Sequence, residues 1–361
     1  MNEKISKVEA ISLILIIIAN EIILNIPNLV ILSCGSSVII NMIYVGIIAI
    51  IFSIILSKLF SNFSGKDILD ISEYLGGKVL KIIVGVLFAL FFLAIISLAS
   101  RYLCSSIKII YFPNSPLVFL LLFFIVPAII ANKFGLKSIS GINLIINLIV
   151  IISLVFLIVA SYSNVDFRRI FPVFGFGLSR TFLSGITNIF AFTGLAYLYF
   201  LPPLLKESKD FKSVAIISTV ISAIFLIFSI ASLILTLSSL LETDEMISLY
   251  ILTRSTKIGN FLERLDVIFI FVWFISLLSS LSLSFFYILN ITKKITNIES
   301  FKPLCTSLGF IVLGSSLLLK NFAQVKFLGN FIYKYFFLSL VFGVGVLVLI
   351  FANLKYKKEK L

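Results

Sequence analysis

The chain has no histidine, three cysteines, one tryptophan and only 12% charged residues among its 361 positions. Without histidine it lacks the commonest metal ligand and the usual proton shuttle near neutral pH. Cys34, Cys104 and Cys305 lie far apart in sequence and imply neither a disulfide framework nor a thiolate metal site. There is no Gly-rich phosphate loop, no Cys/His nucleophile pair and no acidic metal cluster, so no enzyme activity and no cofactor are expected. No linker rich in Pro, Gly or Ser divides the chain, and no polar segment exceeds about 25 residues, well short of an independent domain. A single transmembrane domain over 1–361 is the expectation.

What is abundant is apolar surface: 60% hydrophobic residues and a mean hydropathy of +1.21 leave too little polar area to coat a water-soluble fold. Ten stretches reach or approach the roughly 20 apolar residues needed to cross a bilayer. They fall near 9–32, 38–57, 79–107, 116–132, 140–162, 184–205, 213–240, 264–292, 304–319 and 335–354. The alternating pattern of a membrane barrel is absent, so the spans are read as helices. The polar start, Met1 to Ala10, is followed by no small-residue cleavage site, and the first apolar run is read as a retained span.

With the N-terminus inside, the inner segments hold 18 of the 29 basic residues, which predicts both termini in the cytoplasm. The net charge of +13 then reads as attraction to anionic lipid headgroups, and no basic domain stands apart to bind nucleic acid. Two outer segments, Ser161 to Leu183 and Glu242 to Asp266, are long and charged enough to act as a lid or a docking surface, or to be ordinary solvated loops.

Two spans are interrupted. The first contains Ala19-Asn20-Glu21-Ile22-Ile23-Leu24-Asn25-Ile26-Pro27, and the sixth carries Asn188, Thr193-Gly194 and Pro202-Pro203. Sliding the chain by 175 residues lays Pro27 on Pro202 and Ala19 on Gly194, as expected when each half of an inverted-repeat transporter begins with a broken helix. Asn20, Glu21 and Asn25 then lie near mid-membrane, where polar groups must face protein or water. An unwound helix there frees backbone groups to hold a small zwitterion. The alternative, in which Asn20 and Glu21 only bond to neighbouring helices, stays open at this point. In span 6, Gly194 permits close approach, Thr193 offers a hydrogen bond and Phe192 can wall off an apolar side chain, although small residues also serve plain helix packing. The candidate binding set is Asn20, Glu21, Ile22, Leu24, Asn25, Phe192, Thr193, Gly194 and Leu195. Ser279, Ser280, Ser282 and Ser284 in span 8 offer hydroxyls to a cation against span 1, with Ser279 and Ser280 the candidate ion ligands, against the commoner alternative of hydroxyls bonding back to their own helix.

Five segments carry a resemblance: Ile23-Leu24-Asn25-Ile26-Pro27, Phe112-Pro113-Asn114-Ser115-Pro116, Phe171-Pro172-Val173-Phe174-Gly175, Ala191-Phe192-Thr193-Gly194 with Pro202, and Leu262 to Phe269 with Trp273. In this order they resemble the B-subunit family of spore germinant receptors, in the amino acid-polyamine-organocation superfamily. The resemblance runs essentially end to end. It implies an all-α fold of ten transmembrane helices, a five-plus-five inverted repeat of leucine-transporter type with broken helices 1 and 6. It further implies residence in the spore inner membrane, assembly with an A subunit and a C-subunit lipoprotein, and sensing of a small germinant, commonly an amino acid. Asn20 and Glu21 stand where relatives often show a small Gly-Thr/Ser pair, and a free Glu21 suits an ammonium group better than a carboxylate.

Two rival functions share these features. One is a proton- or sodium-coupled amino acid transporter; span 5 has no Lys or Arg between Ser140 and Ser163 to replace a coupling cation, which leaves Glu21 as its candidate proton carrier. The other is a passive conduit without ligand specificity.

Overall fold

The computed structural model describes residues 4–23, 26–237, 248–256 and 265–360; among them helices and turns predominate, with one isolated parallel bridge, between Ile5 and Leu205. Helices α1 (Lys7–Ile23) and α2 (Ile26–Cys34) are the two halves of span 1, and α3 (Val38–Phe60) is span 2. Span 3 is the main part of α4 (Ile68–Ile110), followed by α5 (Leu117–Phe134) and α6 (Leu136–Ala160) as spans 4 and 5. Span 6 is a chain of short turns around the four-residue α7 (Leu195–Leu198). The second half continues with α8 (Phe211–Thr236), the short α9 (Ser248–Ser255), α10 (Leu265–Thr296) and α11 (Leu304–Leu318). Span 10 runs from α12 (Phe322–Phe331) through two π turns into α13 (Val346–Lys360).

Seven of these segments are long and apolar enough to cross a membrane as they stand. Span 6 falls outside that group because it is a chain of short turns, α1 because it has 17 residues, and span 9 because α11 has only 15. The chain is a multi-pass integral membrane protein. Its fold is the ten-span inverted repeat with discontinuous first and sixth helices that the sequence predicts. Several limits shift: α4 begins eleven residues before the expected start of span 3, because a surface turn of helix joins it at a corner formed by Gly76 and Gly77. Gly77 has φ +70°, a conformation open to glycine and strained for a residue with a Cβ.

Position in the bundle follows from which faces are apolar. The membrane-length windows of α10 and α4 are 61% and 56% buried, against 28% for α5 and α6. The first pair is central; the second presents side chains such as Phe119, Phe123, Ile145 and Ile152 to lipid. Helix α1 packs against α6, α8 and α10, so its last turns sit in the middle of the molecule.

The described ends of the chain, the segment before α1 and the last turns of α13, lie on one face, which is tightly tied. The Ile5 amide donates to Leu204 O (2.8 Å), the Lys206 amide donates to Ile5 O (2.9 Å), and the Ile68 amide donates to Tyr199 O (3.0 Å). These bonds join the start of span 1, the end of span 6 and the start of α4. Asp67 caps α4 by accepting from the amides of Leu69 and Asp70, and Lys294 at the end of α10 reaches Asp67 Oδ2 (2.6 Å) and Asp70 Oδ2 (2.8 Å). On the opposite face the segment Ser161 to Leu183 lies across the ends of spans 1 and 7. Ser36 Oγ donates to Pro172 O (2.5 Å) and Arg169 to Leu235 O (3.1 Å). A Cβ on Gly175 would stand 2.2 Å from Cys34 O, so this glycine permits the close seat. Of the second long segment, residues 242–247 and 257–264 lie outside the described residues.

Candidate functional site

The polar residues of span 1 come to the centre because α1 is apolar for most of its length and carries Asn20-Glu21 in its last turn, before Ile22-Ile23. Asn20 and Glu21 are 4% and 2% exposed, some 20 Å along α1 from the face that carries the termini. They face a cavity of about 10 Å³ lined also by Ile95, Ile96 and Ala99 of α4, Tyr197 of α7, and Leu277, Ser280 and Ser284 of α10. Spans 1, 3, 6 and 8 thus meet at one point. Room for about one water molecule is all that this volume gives, so a larger solute fits only if helices move apart.

The polar groups of the cavity are specifically arranged. Tyr333, in the π turn of span 10, donates its hydroxyl to both Glu21 oxygens, at 3.1 and 3.0 Å. The Tyr197 and Ser284 hydroxyls are 2.7 Å apart, and Ser284 also donates to Ser280 O (2.9 Å). Asn20 Oδ1 is buried and has no partner among the described residues. A carboxylate, an amide oxygen and two hydroxyls therefore converge, a set rich in acceptors and suited to an ammonium or another donor-bearing group.

The cavity is closed at both ends. Toward the termini stands an aromatic plug: the Phe92 ring lies 4.6 Å from Tyr197, Tyr197 lies 5.1 Å edge-on from Tyr287, and Phe200 lies 5.1 Å from Phe88. Tyr199 beside it donates to Val341 O (2.6 Å), tying span 6 to span 10. Toward the opposite face a buried polar knot joins span 6 to spans 1 and 2. Asn188 Nδ2 donates to Asn41 Oδ1 (2.8 Å) and to Ser33 Oγ (2.9 Å), while Asn41 Nδ2 donates to Thr181 O (2.7 Å) and Gly185 O (3.0 Å).

Of the residues singled out from the sequence, Asn20, Glu21, Ser280 and Ser284 share this cavity. Ile22 turns toward α6 and α8, where it lines an apolar gap with Val150 and Phe225. Leu24 and Asn25 lie outside the described residues. Phe192, Thr193, Gly194 and Leu195 are buried in span 6 but do not line the cavity. Gly194 packs on α1 instead, since a Cβ there would meet Ile18 at 3.0 Å and Ile14 at 3.2 Å. Thr193 Oγ1 and Ser279 Oγ have no partner among the described residues, and the Ser280 hydroxyl donates to Leu277 O (3.0 Å). Sequence reasoning missed Tyr197 and Tyr333. Nothing local marked Tyr197, since Gly194 one turn before it packs on α1 and does not line the cavity. Arg101 bonds to Lys320 O (3.2 Å), away from Glu21. Among the described residues no three Cys, Asp or Glu side chains gather to hold a metal ion.

Fold and site together define a class: a membrane protein with the architecture of solute transporters and a closed polar cavity at its helix breaks. Comparison with solved structures agrees on the fold. Over 94% of this chain and 79% of the other, the structure is similar to a Na+-coupled sialic acid symporter, with a TM-score of 0.66 at 15% identity. A manganese transporter of Eremococcus coleocola matches over 96% of this chain and 77% of that one, with a TM-score of 0.57 at 11% identity. The family is set by sequence: the model for the family described as "Spore germination protein" matches residues 4–325, and the chain belongs to that family. Two relatives from Bacillus subtilis (strain 168) are similar to it. Spore germination protein B2 is 23% identical over 58% of this chain, and Spore germination protein A2 is 24% identical over 73%. The matched region spans 57% of the B2 protein and 72% of the A2 protein.

Proposed function

We propose that this chain is the B subunit of a spore germinant receptor, a single transmembrane unit that senses a small germinant, an amino acid or similar solute, in the cavity beside Glu21. In this reading it sits in the spore inner membrane with both termini on the core side. Occupancy is relayed to an A subunit and a C-subunit lipoprotein. The family membership supports the germination role. The observation that carries the sensing step is the convergence of Asn20, Glu21, Tyr197, Ser280 and Ser284 on one closed mid-membrane cavity where the first helix breaks.

The chemistry follows from that set. Glu21 and Asn20 accept hydrogen bonds from an ammonium group, and free backbone groups at the breaks complete the shell. Because the closed cavity holds about one water, a germinant binds only a wider conformer and so draws the population toward it. Reversing a closed-to-open ratio from 1:99 to 99:1 takes about 5.5 kcal/mol of differential affinity. Separation of the aromatic plug or of the Asn188–Asn41 knot is the structural change that such binding drives.

The direct test is Glu21→Gln in spores carrying normal amounts of the protein, with germination followed against germinant concentration. A changed concentration dependence is expected; an unaltered curve assigns Glu21 a structural role and removes the sensing site. A second reading, an ion-coupled amino acid transporter, is favoured by the likeness of fold to a symporter and by a carboxylate placed to carry a proton. Uptake of labelled amino acid by vesicles containing the chain alone would select it.

A further inference from the structure

A second cavity, unrelated to the first, opens on the face that carries the termini. It measures about 480 Å³ and lies between the N-terminal segment, the turn joining α5 to α6, the residues after α7, the last turns of α10 and the loop before α11. Four lysines line it, Lys4, Lys293, Lys294 and Lys302, with one acidic residue, Glu299. Lys294 is already held by Asp67 and Asp70. Lys4, Lys293 and Lys302 have no carboxylate within ion-pair distance among the described residues, so the wall carries an excess of positive charge.

The interior adds a second, independent demand. Asn132 is fully buried, and its amide protons go to Ala128 O and Ser282 O, both at 2.9 Å. Those two carbonyls fix which end of the amide is nitrogen. Its Oδ1 is buried without a donor among the described residues, and Asn132 is one of the residues that line the cavity. A buried acceptor with no partner is costly, and the described residues around it offer none. The cavity therefore asks for an anion at its rim and a hydrogen-bond donor in its depth. Its place, at the ends of spans 4 and 8 where headgroups lie, matches the basic inter-helix pockets that hold phospholipid heads.

We propose that this cavity binds a hydroxyl-bearing phosphate ester of the glycerol phosphate kind, with the phosphate among Lys4, Lys293 and Lys302 and a hydroxyl donating to Asn132. The same chemistry is presented by an anionic lipid headgroup such as phosphatidylglycerol and by a free polyol phosphate. Bound there, it bridges the N-terminal segment, the end of span 6 and the end of span 8, the elements whose bonds close this face.

The test uses the purified full chain in phosphatidylcholine nanodiscs, with thermal unfolding followed during two titrations. One replaces phosphatidylcholine stepwise by phosphatidylglycerol; the other adds glycerol 3-phosphate to phosphatidylcholine discs, with sulfate at equal ionic strength as control. Saturable stabilisation by phosphatidylglycerol alone supports the proposal with a lipid source. Saturable stabilisation by glycerol 3-phosphate beyond sulfate supports it with a soluble one. Lys293→Gln and Lys302→Gln are each expected to weaken apparent affinity about fivefold, and Lys358→Gln on the exposed tail to leave it unchanged. Asn132→Ala is expected to abolish the preference for glycerol 3-phosphate over methyl phosphate, or for phosphatidylglycerol over phosphatidic acid. No saturable response in either titration, or a Lys293→Gln/Lys302→Gln double variant that titrates like the wild type, overturns the proposal.

Discussion

Tyr333 in span 10 holds both carboxylate oxygens of Glu21 in span 1, across 312 residues of sequence. This bond joins the broken first helix to the last span directly beside the cavity. Tyr333→Phe keeps the ring and removes the donor, which leaves a buried carboxylate short of a partner and costs about 1–3 kcal/mol. Thermal unfolding of the variant should show the loss, and on the sensing reading its germinant concentration dependence should move in step with that of Glu21→Gln.

The Asp67–Asp70–Lys294 triad makes stability depend on pH. Burial pushes the Asp67 carboxyl up to about 6 even beside Lys294, so the folded chain binds that proton more tightly than the unfolded chain, whose aspartates titrate near 4. Its contribution to stability therefore declines as pH rises from about 4 to about 6. Asp70 runs the other way: burial opposes ionisation, but the Lys294 charge outweighs it and holds the carboxyl below its usual value, a stabilisation present at neutral pH and lost in acid. Burial would push the Lys294 ammonium down, but the two carboxylates raise it, so it stays charged through this range. Lys294→Gln removes the only cation of the triad and should cost about 3–5 kcal/mol at neutral pH. Unfolding measured in both proteins should show the variant recovering part of that loss between pH 7 and pH 5, as its carboxylates protonate.

Gly194 sets the distance between the two broken spans. Its missing Cβ leaves room for Ile14 and Ile18, and Gly194→Val should force spans 1 and 6 apart at a cost of about 1–3 kcal/mol. Gly194→Ala should cost less, since the tips of two isoleucines can yield a few tenths of an ångström. Unfolding midpoints rank the two variants, and a valine tolerated as well as alanine would contradict this packing.

Cys34 reports on the face opposite the termini. It is buried and free, and Asn188 Nδ2 donates to its Sγ (3.3 Å) within the polar knot. Asn188→Ala removes the donors to Asn41, Ser33 and Cys34 together. In a background with Cys104→Ser and Cys305→Ser, a membrane-impermeant maleimide should modify Cys34 faster in the variant than in its parent. Equal rates would mean that the knot does not hold this side closed.

Much of the architecture was legible because its signals are local. Each span must satisfy its own backbone in lipid, so length and hydropathy mark it. Pro27, Pro202 and the polar Asn20-Glu21 pair mark the breaks, and depth along α1 places Glu21 in mid-membrane. The partners of Glu21 were not legible in the same way. Tyr333 sits in an aromatic-rich stretch, Ile332-Tyr333-Lys334-Tyr335-Phe336, where nothing local separates the tyrosine that reaches the core from Tyr335, which is 64% exposed. Phe192, Thr193 and Gly194 occupy the expected depth, yet the rotation of span 6 turns Gly194 onto α1 and offers Tyr197 to the cavity.

By itself, then, the sequence determined a membrane-embedded bundle of ten helices with two matched discontinuities and a carboxylate beside the first. Those properties depend on composition and on distance along one segment. Only the tertiary structure decided which side chains surround that carboxylate, that the cavity is shut at both ends, and that four lysines and a buried amide share a pocket on the terminal face. Such groupings depend on the rotation and crossing of helices far apart in the chain, and packing sets these.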